Sequence, residues 1–288
     1  MLYKMKEVLQ IAQKNNFALP AFNISSLPML LGVVETAERL HAPVILEVHP
    51  DELSYVTPAF IETMKKIAHT SPVPIVIHLD HGSCFQDVEL TIACGFTSVM
   101  IDGSTLPYDE NVKQTKEVVE FAHKHGVSVE AELGTIGKIG TSLEGGCSHI
   151  VYTDPQQAKE FVECTGIDTL AIAIGTAHGI YPKGFTPKLQ LDLLKEIRRI
   201  VDIPLVLHGG SSNADNEVET AVKLGICKVN ISSDIKSAYF KEMRQVLDEH
   251  QDWIEPNQIE PYCIARASLV IEEKIKLFHA DGKARLYT

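Results

Sequence analysis

Ile75-Val76-Ile77-His78-Leu79-Asp80-His81-Gly82 is an apolar, β-branched run that turns polar only towards its end. Two further stretches repeat the phrase: Leu170-Ala171-Ile172-Ala173-Ile174-Gly175-Thr176-Ala177-His178-Gly179 and Pro204-Leu205-Val206-Leu207-His208-Gly209. Continuous runs of this kind, bounded by Gly and Pro, read as strands buried on both faces, the pattern of a parallel sheet. Parallel strands end at one edge, so His81, His178 and His208 are expected to emerge together. Three imidazoles with one coordination position left open form the ligand set of a catalytic zinc. One such His could equally be a hydrogen-bonded residue at a strand end. Three in the same context, each followed by Gly, point to a metal.

Outward from these phrases, strands and helices alternate. Strands are expected at 17–23, 43–48, 74–79, 97–101, 127–133, 168–174, 203–207 and 227–231. Helices are expected at 5–15, from a cap at Ser25 or Ser26 to Leu40, then at 58–69, 86–94, 109–125, 155–165, 188–201 and 213–224. The chain beyond Asp234 reads as helical, including an amphipathic segment at 265–278. The apolar residues Leu30, Val33, Val34, Ala37 and Leu40 fall at helical spacing, and a Ser cap supplies the start signal. Eight strands each followed by a helix imply a single (β/α)8 barrel over residues 1–288, with extra helices at both ends. A doubly wound open sheet is the runner-up.

Composition bounds the function. The 288 residues are 45% hydrophobic and 22% charged, the balance of a globular enzyme. A net charge of -12 argues against a nucleic-acid partner, which would require a basic surface, but allows a local site for a small anion. Six cysteines form no CxxC pair, and the start of the chain lacks an apolar signal core, so a reducing cytoplasm is expected. No run reaches the ~18 apolar residues of a membrane span.

Function in such barrels gathers at the carboxyl ends of the strands. There the pattern places Asp80 and His81 after the third strand, Asp102 after the fourth, Glu132 at the fifth, His178 after the sixth and His208 after the seventh. Asp102 could instead cap the turn at Gly103-Ser104. Glu130 and Glu132 share a strand face and could serve only each other's surroundings. His78, on the face of Asp80 but deeper, reads as structural. Gly209-Gly210-Ser211-Ser212 and Asn230-Ile231-Ser232-Ser233 follow the last two strands, where barrels commonly hold a phosphate on backbone N–H groups and small hydroxyls.

The phrases His78-Leu79-Asp80-His81, Ser98-Val99-Met100-Ile101-Asp102, Val129-Glu130-Ala131-Glu132-Leu133-Gly134, Gly175-Thr176-Ala177-His178-Gly179, Leu205-Val206-Leu207-His208-Gly209 and Lys228-Val229-Asn230 resemble the class II, metal-dependent ketose-bisphosphate aldolases. The likeness runs through nearly the whole chain and is nearest to the tagatose- and fructose-bisphosphate branch. It implies a homodimer or homotetramer of barrels active on a sugar phosphate in carbohydrate metabolism. It implies zinc, or another divalent ion, on His81, His178 and His208, with Asp102 and Glu132 at an alternative position and room for a monovalent cation. Gly179, Gly209, Gly210, Ser211, Asn230, Ile231, Ser232 and Ser233 would hold the ketose phosphate, and Asp80 would be the acid/base.

In that family a glutamate of the Gly-rich segment 134–149 handles a second proton, and Glu144 is the acid available there. The segment itself reads as a lid that excludes water. Ser212 stands where the family's phosphate loop usually has Gly, and Asp234 follows Ser232-Ser233. Arg266 is a candidate for a second phosphate; without it the aldehyde would carry none. Cys84 reads as a packed helix residue, not a ligand. A non-catalytic sugar-phosphate-binding homologue and a sugar-phosphate epimerase are the readings from other classes.

Overall fold

The computed structural model describes residues 1–139, 146–147, 150–182 and 187–287. In chain order the elements are α1 (Met5–Lys14), β1 (Leu19–Asn23), α2 (Leu27–Arg39), β2 (Val44–Val48), α3 (Pro50–Thr70), β3 (Ile75–Gly82), α4 (Phe85–Ala93), β4 (Ser98–Ile101), α5 (Tyr108–Lys124), β5 (Ser128–Leu133) and β6 (Gly137–Lys138). They continue as α6 (Pro155–Thr165), β7 (Thr169–Ile172), β8 (Ala177–His178), α7 (Leu191–Ile200), β9 (Leu205–Leu207), α8 (Asp215–Lys223), β10 (Ile226–Ile231), α9 (Ser233–Glu249) and α10 (Pro256–Leu277), with a closing 3-10 turn at Lys283–Tyr287.

Eight of the strands close into a parallel barrel in the order β1-β10-β9-β7-β5-β4-β3-β2. Closure rules out the open doubly wound sheet. Every residue of these eight strands is buried, as expected where helices cover the outside and side chains fill the inside. The outer layer packs residues such as Leu30, Val33, Ile61, Val118, Phe161, Leu194 and Ala221 against the strands. α10 lies against α2 and α9, burying Tyr239, Ile259, Cys263 and Ala267 in a second, smaller cluster.

Local signals set most boundaries. Ser26 accepts the backbone N–H of Met29 at 3.5 Å and starts α2; Asp154 accepts Gln157 N–H at 2.9 Å and starts α6, which Gly166 ends at φ +72°. Two expectations change. The helix expected from residue 58 begins at Pro50: a first turn capped by His49 joins the rest across a kink at Thr57, φ +66°. Thr57 precedes Pro58, whose ring excludes the helical conformation from its neighbour. The strand expected to run to residue 174 ends at Ile172. His178 therefore does not sit on a barrel strand; it belongs to β8, which pairs in parallel with β6 in a two-stranded ribbon above the rim. No described helix is long and apolar enough to cross a membrane.

Candidate metal centre

Strand alternation turns His78 and Asp80 into the barrel, and a local irregularity then adds His81. The register between β3 and β4 shifts between Leu79 and Gly82, and His81 sits at φ +49°, a left-handed conformation that a non-glycine residue adopts at a cost of about 1–2 kcal/mol. The bulge aims two consecutive side chains at the mouth. Gly82 then has to be glycine, because a Cβ there would stand 2.5 Å from the carbonyl oxygen of Met100.

The three histidines meet. His81 Nε2 lies 2.8 Å from His208 Nδ1, and the His178 ring centroid is 5.0 Å from that of His81 and 6.2 Å from that of His208. One ring nitrogen from each falls within 4.8 Å of the others, and all three residues are buried. The outward nitrogens are oriented by carboxylates: Asp102 Oδ2 at 2.7 Å from His81 Nδ1, and Glu130 Oε1 at 2.7 Å from His208 Nε2. A carboxylate behind each of these two imidazoles fixes ring and tautomer for metal binding. His81, Asp102 and Glu132 form an overlapping second group. Glu132 Oε2 is buried with no hydrogen-bond partner among the described residues and lies 3.9 Å from His208 Nδ1. The donor set fits a divalent cation.

The charges around it are strongly perturbed. Burial alone would lower the His81 pKa, but Asp80, Asp102 and Glu132 outweigh it and raise it to about 10. His208 is pushed down to about 4 by burial, against its bond to Glu130. Burial and the nearby Asp102 hold the Glu132 carboxyl well above the usual range, with His81 opposing. Buried acidic groups that raise the pKa of a ring and of one another leave this cluster short of positive charge, which a metal ion supplies.

Asp80 stands beside this centre, its Oδ1 3.9 Å from His81 Nε2. Asn23 donates to Oδ2 at 3.0 Å and Asn230 to Oδ1 at 3.0 Å. Burial would raise its pKa, but His81, His208, Lys228 and the Asn23 bond together hold it well below the carboxylate range. It is a charged, fixed base. Underneath, Lys228 Nζ is 2.7 Å from Glu47 and 3.0 Å from Glu130, all fully buried. His78 bonds Ser98 Oγ at 2.8 Å, and burial with the Lys228 charge lowers its pKa to about 3, so it stays neutral.

The expected phosphate residues gather on the adjoining rim. β9 and β10 are neighbours, so the loops after them lie side by side. A Cβ on Gly210 would come within 2.5 Å of Val229 Cγ1 and 2.8 Å of the Asn230 carbonyl oxygen. Gly179 follows His178, and Gly209 follows His208, at φ +110° and +61°. Ser211 Oγ accepts the backbone N–H of Asp234 at 3.3 Å, while Ser212 donates its N–H and Oγ–H to the Asp234 carboxylate at 3.2 Å. Ser232 is the N-cap residue of α9, its buried hydroxyl without a hydrogen-bond partner among the described residues, and Ser233 opens that helix. Ile231 packs in the core, leaving only its backbone for a ligand, and the Asn230 amide faces Asp80.

Glu144 lies outside the described residues, as do residues 140–145 and 148–149 of the expected lid. Arg266 lines an open cavity of about 420 Å³ with Ser212, Asp234, Lys241 and Lys274, on the β9–β10 side. Cys84 precedes α4 and belongs to neither potential ligand group. Sequence reading assigned no role to Asn23, Lys228 or His49. Lys228 carried a signal, since a lysine inside an apolar strand must find a buried partner.

A model of the family "Fructose-bisphosphate aldolase class-II" matches residues 3–283. Among solved structures, the YdjI aldolase from Escherichia coli K12 shares 36% identity at a TM-score of 0.87, over 99% of this chain and all of that one (100%). A putative fructose-1,6-biphosphate aldolase from Coccidioides immitis shares 27% identity at 0.89, over 98% of both chains. The fructose-bisphosphate aldolase of Campylobacter jejuni has the same fold, with 19% identity, a TM-score of 0.82 and coverage of 98% and 97%.

Proposed function

The chain belongs to the class-II fructose-bisphosphate aldolase family, and on that premise we propose that it is a zinc-dependent aldolase. Its reaction is the reversible cleavage of a ketose phosphate, of the fructose or tagatose type, into dihydroxyacetone phosphate and an aldehyde, either glyceraldehyde 3-phosphate or one that carries no phosphate. The observation that carries this reading is Asp80, fixed by two amides 3.9 Å from the nitrogen that His81 turns towards the other imidazoles.

Cleavage of the C3–C4 bond leaves negative charge on the three-carbon fragment, and relieving that charge is the main task of the site. A divalent cation held by His81, His178 and His208, with Asp102 and Glu132 beside it, would supply Lewis-acid stabilisation worth several kcal/mol. Asp80 removes the C4 hydroxyl proton in cleavage and returns it in condensation, a role worth typically ~10²–10⁴-fold. Asn23 and Asn230 hold both its oxygens, so the carboxylate meets the substrate already oriented. The loops at 209–212 and 230–233 present backbone N–H groups and hydroxyls to the ketose phosphate at the start of α9. Glu144 takes the second proton transfer in this reading.

A homodimer or homotetramer belongs to this reading as what the family resemblance implies. The test is condensation of dihydroxyacetone phosphate with glyceraldehyde and glyceraldehyde 3-phosphate, after removal of metal by a chelator and after restoration with zinc. Turnover that survives complete metal removal would refute the reading.

A further inference from the structure

The two halves of a ketose meet different parts of this rim. β1 and β2 stand between β10 and β3 in the barrel order, so an aldehyde whose C4 hydroxyl meets Asp80, with the ketose phosphate at the β9 and β10 loops, has their carboxyl ends within reach. The residue there that faces the centre is His49, immediately after β2. Its ring centroid is 6.3 Å from that of His81, and its side chain is only 12% exposed.

The helix cap fixes the chemistry of this ring. His49 Nδ1 accepts the backbone N–H of Asp51 at 3.2 Å, and the His49 N–H donates to Glu52 Oε2 at 3.2 Å. An accepting Nδ1 carries no proton, so in the neutral ring Nε2 carries it and is a donor. The charge of the two segments that follow these strands is unfavourable to a second phosphate. Residues 24–27 and 49–57, which follow β1 and β2, contain no Lys or Arg but do contain Asp51 and Glu52. Lys236 reaches this rim from α9 and is paired with Glu52 at 2.6 Å. Arg266, the sequence candidate for a second phosphate, lies instead in the cavity beside Ser212 and Asp234.

We infer that His49 sets the specificity for the aldehyde half, donating a hydrogen bond to a hydroxyl of an uncharged hydroxyaldehyde, and that an aldehyde ending in phosphate is disfavoured. The inference rests on the aldolase reading above and adds the class of the second substrate.

The experiment compares the zinc-loaded wild type with His49→Asn, which keeps a good cap residue and removes the ring. A melting temperature unchanged by the substitution shows that α3 is intact. Glyceraldehyde, glyceraldehyde 3-phosphate and propionaldehyde are each offered with dihydroxyacetone phosphate, and solvent deuterium exchange into dihydroxyacetone phosphate is followed with no aldehyde present. Wild type should prefer glyceraldehyde to its phosphate in kcat/KM by about tenfold or more. His49→Asn should lower kcat/KM for glyceraldehyde by about 3- to 10-fold, leaving propionaldehyde and deuterium exchange unchanged. Exchange in the wild type combined with a preference for the phosphorylated aldehyde, or with equal effects of His49→Asn on glyceraldehyde and propionaldehyde, overturns this inference alone. Absence of exchange in the loaded wild type would overturn the aldolase reading, and this inference with it.

Discussion

The ammonium of Lys228 lies 3.0 Å from both carboxylate oxygens of Glu130, and both side chains are fully buried. The pair sits directly beneath the histidine cluster, because Glu130 also bonds His208 Nε2. Buried ion pairs are often no more stabilising than apolar residues of the same volume, so this one is better explained by the site than by the fold.

Breaking the pair tests that assignment. Lys228→Met leaves Glu130 and Glu47 without their cation and should destabilise the protein by about 3–5 kcal/mol in denaturant melts. Glu130→Gln keeps the shape but weakens the hold on His208, and zinc affinity measured against a competing chelator should fall about 10- to 100-fold. Full affinity in Glu130→Gln would mean that the carboxylate does not orient the ligand.

Asp80 contributes chemistry and no metal bond in this arrangement. Asp80→Asn should keep its zinc stoichiometry, read by elemental analysis, while kcat for carbon–carbon cleavage drops about 10²–10⁴-fold. Loss of metal together with activity would reassign Asp80 as a ligand.

Gly210 has no space for a side chain, with Val229 Cγ1 and the Asn230 carbonyl oxygen on the position a Cβ would take. Gly210→Ala should cost about 1–3 kcal/mol through overpacking and displace the loop expected to hold the phosphate. KM for dihydroxyacetone phosphate should rise more than kcat falls, since the lost contact is made in ground and transition states alike. An unchanged KM would place the phosphate elsewhere.

Cys227, one residue before Lys228 on β10, faces outward into the core, and burial pushes its thiol up from 9.0 to about 12. The folded state therefore keeps a proton that the unfolded chain loses. Its contribution to stability is complete below pH 9 and is lost as the pH rises from 9 towards 12. Each pH unit inside that window should cost about 1.4 kcal/mol. Melting curves between pH 8 and about 10.5 should fall more steeply for wild type than for Cys227→Ala. Parallel curves would show that this thiol ionises alike in both states.

Much of the architecture was legible because burial on both faces leaves an unmistakable apolar run, as at Ile75–Gly82, and because Pro, Gly and cap residues punctuate the helices. Boundaries failed where two signals competed. Pro58 looks like a helix start, yet His49 and Glu52 had already capped a turn upstream. The run from Leu170 looks like one long strand, yet at Gly175 the backbone turns to φ +117° and His178 pairs with Gly137–Lys138 in a separate ribbon.

The sequence by itself determined the periodicity, the alternation of strands and helices and the identity of the three imidazoles with Asp80 next to one of them, because these depend on residue type and spacing along the chain; closure of the sheet into a barrel was settled by the structure. Only the tertiary structure decided which partners those groups have: Asn23 and Asn230 on Asp80, Glu130 behind His208, Lys228 between two glutamates, and His49 facing His81. These contacts join strands that are distant in sequence but adjacent around the barrel. Their geometry is set by strand register and by the bulge at His81, which no local pattern of residues encodes.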